Sequence, residues 1–254
     1  MKSSDFSDTE HHYDEIAQQW ADAKSIPYIE YILTPSLLKL IGPVDGKTVL
    51  DLACGEGADL RHLKKLGAAD VLGVDISHEM IHLARNAEKE EPLGCRYLVG
   101  DAAQLQLDEQ FDLVIGAFLL NHASSKEQLL SLFSAIAGAL TPGGRFVGLN
   151  VNMAIETAHY DDLRKYGRWM TTTPDRKEGD MIVVHHRNPD GSEMIIENFY
   201  LSPETYAAAA AEAGLKNFRW LALSVSQAGL DAYPPGFWDE FFETPQVMGI
   251  AADL

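Results

Sequence analysis

Apolar and polar positions along the chain follow two alternating rhythms. Between residues 47 and 152, short apolar runs alternate with stretches whose apolar residues recur every three or four positions. The runs cover 47–53, 70–76, 95–101, 111–120 and 145–152, each of strand length. The run at 111–120 is apolar almost throughout, as in a strand buried on both faces. The helical stretches are 57–67, with Leu60, Leu63 and Leu66 on one face and Gly67 as its stop; 77–91, capped by Ser77 and ended before Pro92; and 125–140, stopped by "TPGG". This alternation predicts an α/β fold: a doubly wound, mostly parallel sheet with helices on both faces. In such sheets ligands bind at the carboxyl ends of the strands, near the point where strand order reverses.

The flanks read differently. The stretch before the first strand is an amphipathic helix broken near Pro27 and Pro35, with Tyr13, Trp20, Tyr28 and Tyr31 on an aromatic face. It would serve either as a moving lid or as a layer packed on the sheet. After the fifth strand, 161–170 reads as a short helix and 181–202 as a hairpin turning at "NPDG". A helix follows at 202–215, with Ser202 as cap, Pro203 in its first turn and Gly214 at its end. A strand at 218–226 would return antiparallel to the fifth strand. The expected organisation is one domain: a helical lid (1–44), a binding core (45–150), a substrate-cover insert (151–201), and a C-terminal helix, strand and tail (202–254).

Charge narrows the partners. The 38 acidic and 20 basic residues leave a formal charge of −18, which repels phosphate backbones and anionic lipids. Neither nucleic acid nor membrane is expected as a partner. No apolar run reaches spanning length and no basic-apolar leader is visible, so a cytoplasmic protein is expected. Cys54 and Cys95 form no metal spacing and suit a reducing compartment. Among the nine histidines, His11–His12 and His185–His186 are adjacent, and neighbours on a strand point to opposite faces. His78 and His82 share a helix face without a third ligand. No metal is expected.

The stretch "TVLDLACGEGADL" at 48–60 ends an apolar run in Asp51 and then places Gly55 and Gly57 in the turn into a helix. Missing side chains let a ligand approach the backbone there, and a helix start offers unpaired N–H groups. Asp75 and Asp101 end the next two strands, so three acids point into one crevice. A dinucleotide would also use an acid after the second strand. However, Leu60 replaces the third glycine of that motif, and Asp51 and Glu56 would repel a pyrophosphate. Adenosine with a cationic amino-acid tail, as in S-adenosylmethionine, suits the acidity.

"VLDLACGEG", "GVDIS", "GDAAQL", "FDLVIGAF" and "LTPGGRFV" resemble the ordered motifs of class I S-adenosylmethionine-dependent methyltransferases. "YDEIAQQW", "EPLGCRYLVGD" and "YPPGFWDEFF" are similar to the small-molecule N-methyltransferases of toxoflavin biosynthesis. The resemblance implies that Asp51, Ala53, Cys54, Gly55 and Gly57 line the amino-acid tail of S-adenosylmethionine. It implies that Asp75 takes the ribose hydroxyls, that Ile76 and Met80 pack on adenine, and that Asp101 and Ala102 face the adenine edge. Ala117 and Phe118 would line the sulfonium end, with Tyr13 and Trp20 covering it. His122, just beyond the fourth strand, is the candidate catalytic base. Tyr28, Tyr31, His159, Tyr160 and Trp238 are candidates for the substrate wall. The implied activity is methylation of a ring nitrogen in a small planar heterocycle. Alternatives are O-methylation of a phenolic metabolite, an NAD-linked oxidoreductase and a catalytically silent binding protein. The chain would act as a monomer or homodimer.

Overall fold

The computed structural model describes residues 6–188 and 190–254. The chain opens with helix α1 (Ser7–Asp22), a 3-10 turn (Ala23–Ser25), a π-helical segment (Ile29–Leu33) and α2 (Thr34–Ile41). Pro27 breaks this run, as the sequence predicts. Pro35 does not; it sits in the first turn of α2, where its missing N–H removes no bond. Then come β1 (Thr48–Leu52), α3 (Ala58–Lys65), β2 (Asp70–Asp75), α4 (His78–Glu90), β3 (Arg96–Val99), β4 (Phe111–Ala117), α5 (Lys126–Ala139) and β5 (Leu140–Val151). The insert contains β6 (Arg168–Thr171), β7 (Met181–Arg187) and β8 (Glu193–Phe199). The chain finishes with α6 (Pro203–Glu212), β9 (Lys216–Leu221), α7 (Gln227–Ala232), α8 (Asp239–Glu243) and β10 (Val247–Asp253).

Seven strands form the main sheet in the order β3-β2-β1-β4-β5-β10-β9. β1 runs parallel to both β2 and β4, so the strand order reverses between β1 and β4 and opens a crevice at their carboxyl ends. Val49, Leu50 and Leu52 of β1 and Leu113, Val114 and Ile115 of β4 are almost wholly buried, as the unbroken apolar runs require.

Two predicted elements are corrected. The strand at 216–221 does not pair with β5. β10 lies between them, antiparallel to both β5 and β9. The sequence reading took "VMGIAAD" as tail because its small residues give no period. Those residues are small for a reason: a Cβ on Gly249 would stand 2.4 Å from the Leu40 side chain of α2. The second correction is 161–170. One 3-10 turn (Arg164–Tyr166) stands there, and Gly167 at φ 82° releases the chain into β6. β6, β7 and β8 form a separate antiparallel sheet, so the expected hairpin gains a third strand. Pro189 of its predicted "NPDG" turn lies outside the described residues. Among the described residues no helix is long and apolar enough to cross a membrane.

β10 buries Val247, Ile250, Ala251 and Ala252 and carries the hydrogen bonds of two neighbours. A chain ending at Thr244 is therefore expected to show no cooperative thermal unfolding in calorimetry. A cooperative transition near that of the whole chain would show the strand to be dispensable.

Candidate functional site

The crevice holds a cavity. β1 and its turn contribute Ala53 and Gly55 to its wall; β2 and α4 contribute Asp75, Ile76 and Met80. The loop after β3 adds Gly100, Asp101 and Ala102, and the end of β4 adds Ala117, Phe118, Leu119 and His122. Helix α1 closes the cavity with Phe6, Thr9, Tyr13 and Trp20. Ala53 and Phe118 adopt φ of 63° and 62°, in the left-handed region that side chains rarely enter. Both flank the cavity, where such backbone conformations are held by surrounding structure.

Asp75 organises the crevice. The Gly55 N–H donates to its Oδ2 at 2.7 Å and the Ser77 N–H to its Oδ1 at 2.9 Å. Burial pushes the carboxyl up to about 6, against those two hydrogen bonds and with help from Glu56 and Asp14. Each oxygen keeps a lone pair for a ligand hydroxyl. Asp101 also has a local task, accepting from the Ala103 N–H at 2.8 Å and from Gln104 Nε2 at 2.8 Å.

Three residues expected here do not line the cavity. Gly57 sits at φ 78°, and a Cβ there would meet the Tyr97 hydroxyl at 2.6 Å, so its missing side chain makes room for Tyr97. The Cys54 thiol turns back beneath the turn, against Gly73, and burial raises its pKa well above the usual thiol range. Asp51 is buried behind the turn. Burial and neighbouring Asp59 push its carboxyl well up, against the pull of Lys24. Lys24, which sequence reading missed, lies 3.5 Å from Glu56 and 3.8 Å from Asp59. Burial disfavours its charge, but Asp59, Glu56 and Asp51 more than offset this and raise its pKa.

A second cavity adjoins the first, sharing Tyr13, Trp20, Ala117 and Phe118 as common wall. Its sides are Ile29, Leu33 and Leu37 from the N-terminal helices, Leu149 and Val151 from β5, and the charged pair Lys24 and Asp59. The small sheet roofs it with Arg168, Val184, His186, Ile196 and Asn198. These alternate along their strands, so His186 faces in while His185 pairs outward with Glu193 at 2.7 Å. The adjacency of His185 and His186 already implied opposite faces, but sequence reading used it only against a metal.

None of the five candidate substrate residues lines either cavity. Tyr28 is fully buried one layer behind, its hydroxyl bonded to His186 Nδ1. Tyr31 packs on Tyr233 and under Gly229. His159 is tied to Asp162 at 2.9 Å near the start of β10, and Tyr160 is bound by Arg176. Trp238 stacks on Tyr166, and its indole N–H donates to the Gly229 carbonyl at 3.0 Å, which anchors the C-terminal helices.

His122 also moves from its expected role. It faces the first cavity, and its Nε2 is hydrogen-bonded to the Tyr13 hydroxyl at 3.2 Å. Burial, and then the nearby His12, push its pKa down to about 4, although a backbone bond with Glu197 opposes this. The ring is neutral near pH 7 and a poor proton acceptor. The other paired histidine positions are also locally satisfied: His78 approaches Glu10 at 4.0 Å and His82 approaches Glu79 at 3.8 Å.

A family model described as a methyltransferase domain matches residues 49–144, the segment from β1 to the start of β5. The chain carries a methyltransferase domain on the class I fold. The chain is 30% identical over 144 residues to the ubiquinone biosynthesis O-methyltransferase of Coxiella burnetii, covering 55% of this chain and 60% of that protein. It is 36% identical over 110 residues to the demethylmenaquinone methyltransferase of Tropheryma whipplei, covering 43% and 44%. The chain thus spans 60% or less of the length of these curated relatives. Among solved structures, an S-adenosylmethionine-dependent methyltransferase from Mesorhizobium loti superposes with a TM-score of 0.62 at 20% identity, covering 91% of this chain and 99% of that one. A DhpI complex with SAM and HEP superposes with a TM-score of 0.63 at 20% identity, covering 99% of both. The fold is shared with these structures along nearly the whole chain, whereas the family model matches only residues 49–144.

One contact holds α1 over that cavity. The Asp14 carboxylate accepts from the Ser77 hydroxyl at 2.6 Å and from the Glu79 N–H at 3.1 Å. Burial raises its pKa, but these bonds and His78 outweigh it and the net shift is downward, so the clamp contributes above the usual carboxylate range and is lost as pH falls through it. Asp14→Ala is expected to cost about 1–2 kcal/mol and to speed hydrogen exchange in α1 but not in the sheet. Unchanged α1 protection would mean that apolar packing alone seats the helix.

Proposed function

We propose that the protein transfers a methyl group from S-adenosylmethionine to a ring nitrogen of a small planar heterocycle. This reading is carried by the pair of adjoining cavities, one with Asp75 and Asp101 at its strand ends and one roofed by the small sheet, meeting at Tyr13, Trp20, Ala117 and Phe118. The bound cofactor supplies a methyl group on a sulfonium that departs as a neutral thioether.

The residues of the first cavity suit that group. Asp75 is a buried acceptor for ribose hydroxyls, and Ile76 and Met80 offer an apolar slot for adenine beside Asp101. Beyond the shared wall, Lys24 and Asp59 stand on the lining of the adjoining cavity with Glu56 beside Lys24, so a zwitterionic tail reaching across would find both signs. The same acids disfavour a pyrophosphate, which speaks against NAD. At the junction, the faces of Tyr13, Trp20 and Phe118 attract a cation and keep water out.

The chain's own part in the reaction is alignment. Holding a nucleophile in line at the junction supplies much of the rate without a catalytic group. His122 and His186, the histidines at the two cavities, are both driven toward the neutral form by burial, with Arg168 adding to the effect on His186. Neither would readily take a proton from a neutral phenol. A ring nitrogen with a free lone pair needs no such base. O-methylation is the second reading, favoured by the name of the ubiquinone-biosynthesis relative, and it requires an oxygen already ionised on arrival. The high negative charge supports a small-molecule partner over nucleic acid, and the chain is read as a cytoplasmic monomer or homodimer.

Titration calorimetry is expected to show binding of S-adenosylhomocysteine and none of NAD; the reverse result would refute the cofactor reading. Because the ligand selects ionised Asp75, affinity is expected to fall about tenfold between about pH 7 and about pH 5, as the carboxyl at about 6 takes up its proton. Asp75→Ala is expected to weaken binding by about 1.5–3 kcal/mol and to remove that pH dependence. For His122→Asn, the expected result is weaker cofactor binding with the pH profile of turnover unchanged. Loss of a limb in the histidine range would instead restore His122 as a base.

A further inference from the structure

Arg168 opens β6 and forms part of the roof of the second cavity, yet it is only 1% exposed. Its Nε and Nη2 have no hydrogen-bond partner among the described residues. Nη1 makes one long contact, 3.4 Å to His186 Nε2. His186 is itself engaged at Nδ1 by the Tyr28 hydroxyl and is driven toward the neutral form, so it brings no negative charge. The other deeply placed cations are treated differently. Arg61 lies 2.6 Å from Glu88 and 3.0 Å from Glu91, and Lys24 sits among Glu56, Asp59 and Asp51. Arg168 has no acid beside it in a protein that carries 18 more acids than bases.

A guanidinium stays charged in proteins, and a buried charge without a counter-ion is costly. A residue of this kind on a cavity wall is matched by a ligand that brings the missing charge. Its planar fork favours two oxygens, or one oxygen sharing an anionic charge. The neighbouring polar groups fit a planar, hydrogen-bonding anion as well. Asn198 lines the same roof, and the Asn121 side chain that donates to it leaves its own Oδ1 buried without a partner. The remaining lining is mostly apolar, with Ile29, Leu33, Leu37, Leu149 and Val151 beside the rings of Tyr13, Trp20 and Phe118, and its other charged side chains, Lys24 and Asp59, are paired with each other at 3.8 Å.

We infer that Arg168 is the specificity-determining anchor of the substrate cavity and that the substrate carries an anionic oxygen, ionised carboxylate or ring oxide, which pairs with this guanidinium. This rests on the methyltransferase reading for calling the cavity a substrate site. The anion would sit under the small sheet, and the accepting atom would point away from it, toward the junction with the first cavity. A positive anchor also keeps the substrate's charge in place while the ring loses electron density to the methyl group.

The test uses matched planar probes that differ in charge: benzoate with benzamide, and barbiturate with uracil. Binding to the full chain is measured by calorimetry, with and without S-adenosylhomocysteine. At least one anion is expected to bind tenfold or more tighter than its neutral partner, to lose that advantage in Arg168→Met and to keep part of it in Arg168→Lys. Equal binding of anion and neutral partner overturns the inference, as do anion selectivity surviving in Arg168→Met and absence of binding by both anions at millimolar concentration. Should Arg168→Met fail to fold, judged by circular dichroism, the anion preference of the wild type against Arg168→Lys decides. S-adenosylhomocysteine binding is scored separately: anion selectivity without it would fault the methyltransferase reading and leave the anion site standing.

Discussion

The crevice depends on one buried carboxylate. Asp75 accepts the N–H of Gly55 from the turn after β1 and the N–H of Ser77 at the start of α4, and so fixes two adjacent strand ends relative to each other. Burial raises its pKa from 3.8 to about 6. In the folded chain it therefore binds its proton more tightly than in the unfolded one, and stability falls as pH rises from about 4 to about 6, by about 3 kcal/mol once it is fully ionised. The empty protein holds a charge that it would be more stable without. That is the arrangement expected where a ligand supplies hydrogen bonds that the apo site lacks.

The rest of the molecule extends from that point. Ser77 donates its N–H to Asp75 and its hydroxyl to Asp14, so the residue that caps α4 also seats α1. α1 brings Tyr13 and Trp20 to the boundary between the two cavities, and Tyr13 in turn holds His122. The small β6–β8 sheet closes the far side with a row of alternating residues, two of them polar side chains from β7 and β8 and one an unpaired arginine from β6. The first cavity thus carries the acids Asp75 and Asp101, and the second carries the unpaired Arg168 in its roof beside the paired Lys24 and Asp59 on its lining.

The core from β1 to β5 was legible in the sequence because its signals are local: apolar runs, caps and acids at strand ends. Around the first cavity the same signals pointed to Gly55, Asp75 and Asp101, whereas Ile76, Met80, Ala102, Ala117 and Phe118 came from the resemblance to class I methyltransferases. Gly57 shows the limit. A glycine beside a binding turn reads as room for a ligand, but here the room is taken by Tyr97, which is 40 positions away in sequence and arrives only through the β2–β3 pairing. β10 was missed because Gly249, Ala251 and Ala252 are small to admit α2 and two neighbouring strands, which leaves no hydrophobic period to read. The second cavity was harder still. Conspicuous aromatic and histidine residues drew attention, yet Tyr31, Tyr160 and Trp238 anchor loops and the C-terminal helices, and Tyr28 lies behind the wall. The wall itself is made of residues that matter only when three strands pair, and Arg168 stands in a stretch read as helix.

On the reading proposed above, the cavity at Asp75 and Asp101 receives the cofactor and the cavity beneath the small sheet receives the acceptor, with the reacting atoms meeting between them. A crystal structure of the complex with S-adenosylhomocysteine tests it most directly. The account predicts the ribose on Asp75, the adenine between Ile76, Met80 and Asp101, and the sulfur at the wall formed by Tyr13, Trp20, Ala117 and Phe118, with the cavity beneath Arg168 left free. The adenosine seated under the β6–β8 sheet, or a sulfur pointing away from Phe118, would contradict it.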